Sequence, residues 1–252
     1  MGLPEEVILT SWPTSSVGLS MTTDRIGTPM TTPGFLRWRS WGAAERRALL
    51  LHDAGSSSGT WWRAAEALAR AGWRVKAPDL PSHGASPRLA APINPEVAAA
   101  WLVGDLADRP IDLVVGHGFG AAVALALVDR GPILHRVVLE EYPETGHHWP
   151  TAADDLIAAA DRARRDADRA YADFRRHRPD WGDDDCRQAV RDLAACAVEE
   201  VADGLRSAHT WPRPTTDLAA STQVVVSTVS HRHAPDAWVA QFTELTPLAP
   251  AG

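Results

Sequence analysis

The first clear periodicity begins at Phe35, where FLRWRSW alternates apolar and polar positions as a half-buried edge strand does. RALLLH is a short apolar run, the pattern of a buried strand. Helix and strand signals then alternate. TWWRAAEALARAG carries a helical period that stops at Gly72, and WRVKAP follows as a strand. Asn94-Pro95 supplies a cap and a first-turn proline for the next helix. IDLVVG, AAVALALVD and RVVLEE continue as strand, helix and strand. Strands separated by helices in this rhythm predict an α/β fold whose mostly parallel central sheet is flanked by helices.

Between about Pro143 and Asp217 the strand signal disappears, and Ala, Arg and Asp recur at helical spacing. A helical insertion over 143–217 is the expectation. TQVVVSTV then reads as a strand, APDAWVAQF as a helix and ELTPLAP as a last strand, so the core is assigned to 33–142 and 218–252. Residues 1–32 are rich in Ser, Thr, Pro and Gly without an apolar period and read as a loose extension.

A chain of 252 residues, 45% hydrophobic, is long enough to bury one α/β core with an insertion. A net charge of −7, with arginines scattered among acids, argues against a nucleic-acid partner. With no apolar run of bilayer length and no signal-peptide pattern, the expectation is a cytoplasmic protein without membrane association. Cys186 and Cys196 are the only cysteines and imply neither a disulfide nor a metal site. His147 and His148 lack further ligands at suitable spacing, so no metal and no other cofactor is expected. The oligomeric state is left open.

Three segments carry a family resemblance. LLLHDAGSSSGTWW resembles a post-strand loop of the H-G-x-x-x-S type, APDLPSHGAS a D-x-x-G-H-G-x-S turn, and DLVVGHGFGAAVAL a G-x-S-x-G nucleophile elbow. In this order, on a βαβ rhythm, they resemble the α/β-hydrolase superfamily over about residues 33–252. The resemblance implies that the insertion is a helical cap and that the amides of Phe119 and Ala54 form an oxyanion-type pocket.

Four departures accompany the match. Gly118 stands where the elbow serine belongs, and Asp53 where glycine usually follows the first His. The position of the usual acid falls near Ser230, and the chain ends at LAPAG, where the family's general-base His is due. Gly118 offers no atom for nucleophilic attack, although glycine readily accepts the positive φ of an elbow apex. His117, one residue before the apex, is expected to point into the sheet.

Asp53 has two readings: a general base activating water, partnered by His52, or a loop carboxylate turned outward or capping the helix at TWW, the commoner use of such a residue. His231 and His233 follow a strand end, where proton-transfer groups or ordinary loop residues are found. His52 and His83 also have a turn-stabilising reading, and Glu140 and Glu141 end a strand without a Ser–His pair to serve. Trp61, Trp62, Trp149, Trp181 and Trp211 could line an apolar pocket between insertion and sheet or simply pack the core.

The expectation is a degenerate catalytic triad in a hydrolytically inactive protein, a pseudoenzyme that holds a small apolar or acyl-type molecule between cap and core. One alternative is a lyase, cyclase or water-activating hydrolase using Asp53 or His residues. Another is a serine esterase inactivated by a Ser-to-Gly change at 118 and a shortened C-terminus.

Overall fold

The computed structural model describes residues 35–106, 110–128, 130, 132–141, 149–211 and 223–227. The chain divides after Pro33, and every described residue belongs to the part Gly34–Gly252. The predicted ELTPLAP strand, the APDAWVAQF helix and the loose extension lie outside the described residues.

Six strands build one sheet: β1 (Trp38–Trp41), β2 (Arg47–Leu51), β3 (Arg74–Pro78), β4 (Leu113–His117), β5 (Arg136–Glu140) and β6 (Gln223–Ser227). Their order is β1-β3-β2-β4-β5-β6, with β1 antiparallel to β3 and every other pairing parallel. Helices α1 (Trp62–Arg70), α2 (Pro95–Leu106) and α3 (Phe119–Val128) make the crossovers. The alternation of side chains explains why the inner strands are apolar throughout. Ala48 and Leu50 enter the core on the α1 face, whereas Leu49 and Leu51 pack with α2 and α3 on the other.

Local chemistry sets the element ends. The side chain of Asn94 accepts the amide of Val97 at 2.8 Å and caps α2, and α1 is followed by Gly72 at φ +84. A 3-10 turn, Ser58–Trp61, precedes α1, and its cap is Ser57, whose hydroxyl accepts the Gly59 amide. Helix α3 crosses the sheet so closely that a Cβ on Gly120 would lie 2.2 Å from the Leu51 carbonyl oxygen. The glycine cluster is thus partly a packing requirement.

From β2 the chain moves to β3 on one side, then crosses to β4 on the other. The loops leaving β2 and β4 therefore diverge at adjacent strand ends, a crevice typical of ligand sites in open α/β sheets.

Between β5 and β6 lie α4 (Trp149–Arg165), α5 (Ala167–His177), α6 (Asp183–Ala195) and α7 (Val198–Arg206), which share a separate apolar cluster including Ala160, Cys196 and Val201. Helix α6 is tied to the core through carboxylates. Asp185 receives Arg63 at 2.6 Å and the Trp62 indole N–H at 3.2 Å, and buried Asp192 receives the Ser57 hydroxyl at 2.6 Å. Cys186 and Cys196 are both free and buried. No helix among the described residues is long and apolar enough to cross a membrane.

Candidate functional site

Position 118 follows β4 with φ +53, and its amide donates to the Glu140 carbonyl at 3.0 Å. A side chain there meets more than backbone strain. A Cβ built on Gly118 would lie 2.1 Å from Asp53 Oδ1 and 2.4 Å from its Cγ. The Asp53 carboxylate fills the space in which a residue at the turn apex would begin its side chain.

Two amides hold that carboxylate. Phe119 N and Ala54 N each donate to Asp53 Oδ1 at 2.7 Å. The first amide belongs to the start of α3 and the second to the loop after β2, so their convergence depends on β2 and β4 being neighbours. Charge-assisted bonds of this kind contribute about 1.5–3 kcal/mol each. The anion pocket expected from these amides has formed around a carboxylate of the chain itself.

This geometry corrects the reading of Asp53 as an outward or helix-capping residue, since Ser57 performs the cap. The expected partnership with His52 is also absent. His52 donates from Nδ1 to the Asp53 backbone carbonyl at 2.8 Å and accepts the Leu80 amide at Nε2, 2.9 Å away. Both ring nitrogens are committed to backbone, and burial lowers its pKa to about 4, so the ring is neutral near pH 7. His83 packs 4.9 Å from it, with Nδ1 at 2.9 Å from the Pro81 carbonyl. Burial, then the neighbouring His52, lowers the His83 pKa to about 3.

A cavity of about 470 Å³ opens beside Asp53. Its core side comprises Asp53, Ala54, Gly55, Ser56, His117 and Glu141. The opposite side comes from α5, α6 and the segment between them, with Phe174 and Trp181 stacked at 5.8 Å and 11°. Arg178, His177 and Asp180 complete its polar lining, while Ala189 and Leu193 are apolar.

His117 is on this cavity wall, contrary to the expectation that it points into the sheet, and its Nε2 lies 3.0 Å from Glu141 Oε2. Glu141 has φ +50, unusual for a residue with a side chain, just where it leaves β5. The pair, 24 positions apart, is assembled by the parallel register that sets His117 beside Glu140. Periodicity gave no signal for it.

The tryptophans separate. Trp181 lines the cavity. Trp61 is instead buried in the core on the α1 face, Trp62 is bonded to Asp185 away from the lining, and Trp211 is buried edge-on against Phe119 at 5.3 Å. The Trp149 side chain, His147, His148, His231 and His233 lie outside the described residues. Among the described residues no cluster of three or more His, Cys, Asp or Glu is arranged to hold a metal ion.

Comparison with known proteins agrees with this frame. Residues 48–251 match the Alpha/beta hydrolase family. Over 100 residues the chain is 29% identical to Protein ABHD8 of Bos taurus, covering 35% of this chain and 22% of that protein. The chain thus spans about a fifth of the length of the curated relatives it matches. Among solved structures, a hydrolase from Pseudomonas aeruginosa PA01 is 20% identical with a TM-score of 0.60, over 83% of this chain and 94% of that one. A marine microorganism esterase is 13% identical with a TM-score of 0.63, over 83% and 98% of the two chains. At such identities the structural likeness establishes the fold alone, whereas the family match runs through the sheet, the diverging loops and the helical insertion. The chain belongs to the alpha/beta hydrolase family.

Proposed function

We propose that this protein is a hydrolase-fold binding protein without serine-hydrolase chemistry, which holds a small molecule between a cap formed by α4–α7 and the sheet. The observation that carries this reading is the placement of Asp53. One carboxylate occupies the volume of an apex side chain and accepts both amides that would otherwise receive a developing oxyanion. An acyl-transfer transition state would need that pocket to receive a second negative oxygen. Asp53 and Gly118 also complement each other sterically, which supports a remodelled site over a serine esterase altered at one position.

A second reading is favoured by one feature. Among the described residues Asp53 Oδ2 has no hydrogen-bond donor, and it shares the cavity with the His117–Glu141 pair, an arrangement suited to water activation or proton transfer. A panel of aryl and alkyl esters and lactones, assayed with wild type and Asp53→Asn, separates the two. Neither protein is expected to exceed the buffer rate. Wild-type turnover that disappears in Asp53→Asn would overturn the binding reading and establish the non-serine enzyme.

A further inference from the structure

Resting on the binding reading above, we infer that the cavity selects a cationic nitrogen carried on a flat apolar body, an aryl-alkyl amine in its simplest form, and rejects carboxylates and other acyl anions.

The argument begins with the pinned carboxylate. Oδ1 is held at 2.7 Å by two amides, one in the loop after β2 and one at the start of α3, and these bonds oppose rotation of the side chain when a ligand enters. Its other oxygen accepts from no donor among the described residues, and Asp53 lines the cavity. A ligand anion would find the best anion-binding point of the fold already filled and a like charge beside it. A ligand N–H donor would find an unoccupied acceptor.

The remaining charges act in the same direction. Among the described residues the titratable groups on the cavity wall are Asp53, Glu141, Asp180, Arg178, His117 and His177. Three are carboxylates and one is a guanidinium, while His117 is hydrogen-bonded to Glu141 and His177 Nδ1 to the Asp173 carbonyl at 2.8 Å. Arg178 itself lies over the Trp181 ring, 5.8 Å from its centroid, so its charge is partly engaged by that aromatic face. The nearly coplanar Phe174 and Trp181 rings make a wall against which a flat apolar group packs. The volume, about 470 Å³, is that of a small-molecule site rather than an ion site.

Displacement of a neutral apolar dye, N-phenyl-1-naphthylamine, from the full chain tests this at neutral pH and constant ionic strength. The competitors are 2-phenylethylamine, 3-phenylpropanoate and 2-phenylethanol. Dye binding should weaken in Trp181→Ala. The amine should displace the dye at a concentration at least tenfold below the propanoate, with the alcohol between them. Asp53→Asn should reduce that preference to less than threefold. Propanoate displacing as well as the amine, or an unchanged preference in Asp53→Asn, would overturn the inference while leaving cavity binding in place. Dye bound but displaced by none of the three has the same meaning. Failure of the dye and all three compounds to bind, the latter measured directly by calorimetry, would remove the binding reading and the inference together. Should Asp53→Asn not fold, the wild-type ranking decides by itself.

Discussion

The loops after β2 and β3 each turn an aspartate onto two backbone amides, and the similarity ends there. Asp79 accepts Ser58 N at 2.8 Å on one oxygen and Ala85 N at 2.9 Å on the other, inside a buried turn closed by the Ser86 hydroxyl on its own carbonyl. Burial would raise its pKa, but the Ala85 and Ser58 bonds outweigh it and hold the pKa below the ordinary value. Asp53 places both amides on one oxygen and leaves the other to the cavity. The first arrangement is complete within the fold. The second leaves one oxygen without a donor among the described residues, on a residue that lines the cavity, and under the binding reading proposed above that difference separates a structural loop from a recognition loop.

Acid should expose the structural loop most strongly. His52 and His83 remain neutral in the folded chain down to about 4 and about 3, whereas in the unfolded chain they take up protons below about 6.5. Stability is therefore retained above pH 6.5 and lost as the pH falls toward 4, by about 3 kcal/mol for His52 alone. Protonation of Asp79 removes more at still lower pH, because its folded pKa is depressed. Chemical denaturation at pH 7, 5.5 and 4.5 reads this directly; constant stability over that range would contradict the buried neutral pair.

Next in size is the direct contrast between the aspartates. Asp79→Ala strands two amides of a buried turn and should cost about 5 kcal/mol, while Asp53→Ala removes two bonds from a carboxylate at the cavity wall and should cost about 3 kcal/mol. Equal losses in urea titrations would erase the distinction drawn between the loops.

The smallest effect is a coupling. Gly118→Ser meets Asp53 and a positive φ together, and should cost about 2 kcal/mol in wild type. In an Asp53→Gly background roughly half of that cost should disappear, leaving the backbone strain. A double-mutant cycle with no interaction energy would show that the two positions do not compete for space.

Much of the frame was legible in the chain. The unbroken apolar pattern of RALLLH required cover on both faces, Asn94-Pro95 marked a helix start, and the glycines around position 118 signalled a tight strand-to-helix turn. The site was less legible. Asp53 could be recognised as out of place after His52, but its choice between solvent, helix cap and anion pocket depends on a side-chain rotamer. Trp61 and Trp62 point about 100° apart as consecutive helical residues, and their sequence context did not say which, if either, faced the cavity.

By itself the sequence determined the alternation of strands and helices and the mostly parallel, doubly covered sheet, since these follow from periodicity and local capping over a few residues. Tertiary structure alone decided that the amides of Ala54 and Phe119 meet on one oxygen, that His117 finds Glu141, and that Phe174 and Trp181 close the opposite wall. The first two depend on strand order and register, and the third on how α5 and α6 pack. These are long-range properties that no local pattern encodes.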